Sequence, residues 1–148
     1  MRLIKSFIYD FRGIWICIRE ERNFRIHTVA IITVLIFSIL YGLPFEQYPA
    51  LILILAIVPA LEAVNTSIER AVDLESESPH PLARDAKDTA SGAVLISAVA
   101  SIVMACFLFS DISKLRSVLL IFTKPLPLTA LVLYIVLSAI YVFVPKHK

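Results

Sequence analysis

With three glycines in 148 residues, the chain has no glycine-rich loop of the kind that cradles phosphates. Two cysteines, Cys17 and Cys106, make neither a disulfide framework nor a metal-ligand spacing, and packing is the role expected of both. No internal repeat or low-complexity tract is visible. The first 27 residues lack the long apolar stretch of a cleavable signal and carry Arg2, Lys5, Arg12, Arg19, Arg22 and Arg25, so they are expected to remain in the cytoplasm. Charge is scarce as well. Charged residues make up 18% against 59% hydrophobic, with a mean hydropathy of +0.84, a balance that a soluble domain of this length could not hide in one core. The net charge of +2 gives no reason to expect a nucleic-acid partner.

What is present are four uncharged runs, Thr28–Phe45, Gln47–Leu61, Thr89–Ser110 and Pro125–Pro145, each near the roughly 17–25 residues that a membrane helix needs. The second continues past Glu62 as one helix whose later turns leave the hydrocarbon. Basic residues cluster before the first run, are missing from the Leu43–Tyr48 loop and return at Arg70, Arg84 and Lys87, which orients the N-terminus inward. Lys114, Arg116 and Lys124 would then lie on the far side, mildly against that rule, while the tail Lys146-His147-Lys148 suits a return to the cytoplasm. Ahead of the spans, Leu3, Ile4, Phe7, Ile8, Phe11, Ile14, Trp15 and Ile18 share a helical face opposite Lys5, Arg12 and Arg19. That pattern fits a helix lying in the membrane interface, with packing against other protein as the alternative.

Seven of the twelve acidic residues fall within Glu62–Asp88. On a helix, Glu62, Asn65, Glu69 and Asp73 occupy an arc of about 80° over about 16 Å of axis. Such a stripe at the end of a membrane helix is costly unless paired, hydrated or metal-bound, which makes it a functional candidate, with a solvated helix face as the bland alternative. Three carboxylates repel one another, and Mg²⁺ relieves this while needing only a few carboxylates, water and substrate phosphates. Glu62 and Glu69 stand roughly 10 Å apart along the axis, too far to share one ion directly. Different tasks follow: metal and nucleotide at the cytoplasmic end, a hydroxyl at the membrane surface. Beyond the proline-bounded turn Ser76–Pro81, a span starting at about Arg84 carries Ala86, Ala90, Ala93, Ser97 and Ala100 or Ser101, a small-residue stripe for close helix contact.

The helix Glu62-Ala63-Val64-Asn65-Thr66-Ser67-Ile68-Glu69-Arg70-Ala71-Val72-Asp73 and the later Ala86-Lys87-Asp88 strongly resemble the signature of the prokaryotic diacylglycerol kinase and undecaprenol kinase family. Lys5, Tyr9, Gly13 and Glu21-Arg22-Asn23-Phe24-Arg25 support the match, which covers about residues 2–110. The resemblance implies a lipid kinase that uses Mg²⁺ and ATP, with Glu62 as catalytic base and Glu21 and Glu69 as metal ligands. Nucleotide contacts are implied for Arg2, Tyr9, Glu21, Glu69, Asp73, Ser78, His80, Lys87 and Asp88, and substrate contacts for Glu62, Asn65 and Ser91. His80 between two prolines fits a loop or nucleotide contact better than a metal ligand. A homotrimer with shared sites is the implied assembly, embedded in the bacterial cytoplasmic membrane with its site on the cytoplasmic side. Glu21-Arg22-Asn23-Phe24-Arg25-Ile26-His27 is more similar to the branch that phosphorylates undecaprenol than to the diacylglycerol branch.

The expected architecture is an all-α integral membrane protein. Residues 1–25 form the interfacial helix, 26–110 a three-span kinase core with the active-site segment 62–91, and 111–148 a linker and a fourth span that departs from the usual three-helix pattern. An ion- or proton-conducting subunit is the rival from another class. It fits less well, because Thr28–Leu61 and Thr89–Ser110 hold no acidic residue except Glu46 in the outer loop, and a relay needs polar steps across the membrane.

Overall fold

A computed structural model describes residues 2–75 and 80–144. Six helices follow one another: α1 Arg2–Glu20, α2 Arg22–Tyr41, α3 Tyr48–Glu75, α4 Pro81–Leu108, α5 Ile112–Ile121 and α6 Pro125–Phe143, with a short 3₁₀ turn at Phe45–Gln47. There is no strand among the described residues. Helices α2, α3, α4 and α6 are each long and apolar enough to cross a bilayer, so the chain is an all-α membrane protein with four candidate spans.

Local chemistry marks most of the boundaries. Gly42 closes α2 in the left-handed region at φ 67°, and the Leu43 amide returns to the Ser38 carbonyl at 3.0 Å, a helix stop that glycine adopts without strain. The spacing expected α4 from about Arg84. It begins at Pro81, because the His80 Nδ1 accepts the Leu82 amide at 3.2 Å and Pro81 supplies a preset first helical φ. Asp111 caps α5 by accepting the Ser113 and Lys114 amides at 2.9 and 3.2 Å, which makes a helix where only a linker was expected. The break between α1 and α2 falls at Glu21, inside the 1–25 segment expected as the interfacial helix. Glu21 is extended at φ −98° and ψ 117°.

α3 and α4 make the most extensive contact, and Ser97 of the small-residue stripe is buried there. At the end of the bundle away from the acidic row, Tyr41, Leu43, Leu51 and Val118 form the core cluster. Phe109 meets Phe37 and Tyr41 edge to face at 5.0 and 5.1 Å, while the Tyr41 hydroxyl accepts the Asp111 amide. Lys114 donates to the Gly42 carbonyl, so α5 and its basic residues sit at that same end. α6 lies antiparallel on α2: Tyr134 and Thr33 share a hydroxyl contact at 2.7 Å, and Val142 near the end of α6 reaches Arg25 near the start of α2. Four spans therefore alternate in direction. Most large apolar side chains remain exposed, as suits a surface facing lipid tails or other helices rather than water.

Candidate active site at the acidic end of the bundle

The second span carries its helical register unbroken through Pro59 to Glu75, so the acidic stripe expected from the spacing is formed. Within it, Glu62, Asn65 and Thr66 are buried, with Glu62 only 4% exposed. Taking a carboxylate out of water costs of order several kcal/mol unless its lone pairs are met. Among the described residues no hydrogen bond reaches the Glu62 carboxylate. Asn65 donates its Nδ2 to Glu69 Oε1 at 2.9 Å, leaving its buried Oδ1 without a partner. Turning the amide over would set oxygen against carboxylate, so charge decides the orientation. The row thus presents one buried acid and one unmet amide oxygen, a turn apart.

Glu21 enters from the α1–α2 elbow. It stands at the N-cap of α2 without using its side chain as a cap, and its carboxylate accepts from Arg70 of α3 at 2.9 Å. The same Nη2 reaches Glu20 at 3.1 Å. Both pairs are about half exposed, where an ion pair contributes about 0–1 kcal/mol, so neither acid is locked. Cys17, one turn before Glu21, is buried against this group. Burial pushes its thiol above the ordinary value; the nearby charges of Glu21 and Glu62 push the same way, and Arg70 opposes them. The packing role read for Cys17 stands, but at the site.

Across the turn, Lys87 of α4 donates to Asp73 of α3, a pairing that joins two residues read separately as nucleotide contacts. Asp88 pairs with Arg84 at 3.6 Å, both well exposed. A cleft of about 440 Å³ between α3 and α4 is lined by Asn65, Ile68, Asp85, Ala86 and Ala90, so part of the small-residue stripe makes space instead of contact. Ser91 is exposed and does not line it, and Tyr9 is exposed on α1. His80 is engaged as the α4 cap. The Arg2 side chain and Ser78 lie outside the described residues. A second, apolar cleft of about 340 Å³ runs between α2, α3 and α4, with His27 and Pro59 at the end nearer Glu62.

No group of three or more His, Cys, Asp or Glu able to hold a metal occurs among the described residues. The donor chemistry nevertheless fits Mg²⁺, because Glu69, Glu21 and the unmet Asn65 oxygen are hard ligands and Mg²⁺ takes few protein ligands when phosphates supply the rest. Sequence reasoning missed two arginines. Arg70, which holds the elbow acids, was read only as an orienting charge, and Arg25 is nearly buried.

Fold and site together define a class, an all-helical membrane protein that gathers its polar chemistry at one face of a bilayer. Its family is equally plain. The sequence model for prokaryotic diacylglycerol kinase matches residues 8–109, and the chain belongs to that family. It is 42% identical over 108 residues to a protein of Bacillus subtilis (strain 168) named undecaprenol kinase, covering 73% of this chain and 88% of that one. It is 37% identical over 115 residues to a diacylglycerol kinase of Synechocystis, covering 76% and 66%. A diacylglycerol kinase of Escherichia coli (strain K12) is 29% identical over 107 residues, covering 72% and 88%. No solved structure matches the chain with significance. The protein is a lipid kinase, and the ion-conducting reading falls away.

Proposed function

We propose that the protein phosphorylates undecaprenol, transferring the γ-phosphoryl group of Mg·ATP to the lipid hydroxyl at the cytoplasmic face of a bacterial membrane. The observation that carries this reading is the buried Glu62 beside the unmet oxygen of Asn65 at the end of a membrane helix. Similarity to the Bacillus protein favours the polyprenol over diacylglycerol, the acceptor named for the other relatives. The apolar cleft beside His27 suits a lipid chain whose hydroxyl reaches the polar row.

In this scheme Glu62 takes the proton of the lipid hydroxyl as its oxygen attacks the γ-phosphorus, and ADP departs with the electrons of the broken bond. Lys87 places a positive charge on the phosphates, with Asp73 orienting its ammonium. Arg2, Tyr9, Ser78, His80 and Asp88 complete the proposed nucleotide contacts, and Ser91 the substrate contacts. Glu21 and Glu69, with Asn65 hydrogen-bonded to Glu69, would hold Mg²⁺, which when bound would neutralise phosphate charge. A homotrimer, the assembly the family resemblance implies, would cover some of α4, almost none of which is buried in the single chain. Six basic residues before Ile26 support the cytoplasmic placement.

Purified protein assayed with Mg·ATP against undecaprenol, diacylglycerol and ceramide in mixed micelles is expected to give its highest kcat/KM on undecaprenol. A preference for diacylglycerol overturns the branch assignment. Glu21→Gln and Glu69→Gln are each expected to raise the Mg²⁺ concentration for half-maximal activity, by about 10-fold, since each removes one anionic ligand from a site with few. Unshifted Mg²⁺ titrations for both variants would remove the metal assignment.

A further inference from the structure

Arg25 is only 6% exposed, yet no carboxylate pairs with it among the described residues. Its partners are carbonyls from two helix ends. Nη1 donates to Ile18 O at 3.4 Å and Arg19 O at 3.1 Å, in the last turn of α1. Nε and Nη2 fork onto Val142 O at 3.3 and 3.2 Å, next to the last residue of α6. Carbonyls in a last helical turn lack intrahelical partners and carry the negative end of the helix dipole, so two such ends can neutralise and bond one guanidinium. Arginine suits the place because its planar fork reaches both at once.

The elbow between α1 and α2 contains neither glycine nor proline. The clamp ties the end of α1 to the start of α2, and Glu21, extended at the elbow itself, turns its carboxylate toward α3 from there. Val142 lies beyond the residues matched by the family model, so this chain ties its additional span into the family's site. We propose that Arg25 is a positioning residue through which α6 sets the α1–α2 elbow and thereby the placement of Glu21 for Mg·ATP. The functional half of this rests on the lipid-kinase site proposed above.

Removing the fork by Arg25→Met releases both helix ends. Phe143→Pro attacks the same clamp from the other side in the full chain, because a residue before proline leaves the helical region, which turns the Val142 carbonyl away. Each variant is expected to raise KM for Mg·ATP about 10-fold with kcat within about twofold, in the range for losing a residue that orients a metal ligand. Arg25→Lys, which keeps the charge but loses the fork, is expected to fall between. The double variant should show no more than the larger single effect, since both changes break one unit. A measurement independent of turnover uses spin labels at Asp10→Cys on α1 and Leu74→Cys on α3, both exposed, with Cys17 and Cys106 replaced by alanine. The distance distribution is expected to be narrow with the native clamp and broadened in Arg25→Met and Phe143→Pro, without nucleotide or metal. Three outcomes overturn the proposal: unchanged distances, broadened distances with an unmoved KM, and additive effects in the double variant. A native chain with no kinase activity overturns the kinase reading instead, while the clamp still stands or falls on the label distances.

Discussion

Glu62→Gln is expected to lower kcat by at least about 10²-fold while leaving ATP affinity and helical content unchanged. The substitution keeps the size and polarity of the side chain and removes only its capacity to accept a full proton. Because Glu62 is buried and no hydrogen bond among the described residues engages it, its loss breaks no visible structural tie. The amide relieves the desolvation cost of a carboxylate, so thermal stability should hold or rise. That combination separates a base from a packing residue. Single-turnover measurement of γ-phosphoryl transfer with saturating lipid checks it, and near-native turnover would move the base elsewhere.

The second large effect concerns Lys87. Lys87→Met preserves much of the aliphatic stem but deletes the ammonium proposed above to meet phosphate charge, and is expected to reduce kcat/KM for ATP about 10²–10³-fold. Its partner offers a control. Asp73→Asn removes the ion pair but leaves the charge of Lys87 in place, so a smaller loss, of about 10-fold or less, is expected for a group that only orients another. Steady-state kinetics varying Mg·ATP at fixed lipid compares the two. Equal losses would make the lysine a bridge between α3 and α4 and not a phosphate ligand.

The acidic row was legible because two regularities coincide in it, a long apolar run that fixes a helix and polar residues, three of them carboxylates, at steps of three and four. Its lower half, Asp73, could be placed on that face but not paired, since Lys87 arrives from the next helix across a turn whose geometry spacing does not give. The short helix α5 carries a visible signal, an aspartate before Ile112, Leu115, Val118 and Leu119; it was obscured by the charges of Lys114 and Arg116. The break at Glu21 is different in kind. Glu20, Glu21 and Arg22 are all compatible with a continuing helix, and where the chain turns Arg25 reaches back to the α1 carbonyls. Backbone oxygens have no letter in a sequence, so neither this contact nor the one to Val142 could be read in advance.

The clamp also has a place in time. Its two sides are separated by 117 residues, and at about 5–20 residues per second the ribosome needs roughly 6–23 s to deliver the Val142 carbonyl after Arg25 has been made. During that interval α2, α3 and α4, the segment shared with the family, can already associate in the bilayer and Nη1 can already meet the α1 carbonyls, while Nε and Nη2 must take their hydrogen bonds from interfacial water and headgroups. Biogenesis is thereby ordered: the shared core forms first, and the clamp is completed only when the last-synthesised helix displaces that borrowed solvation.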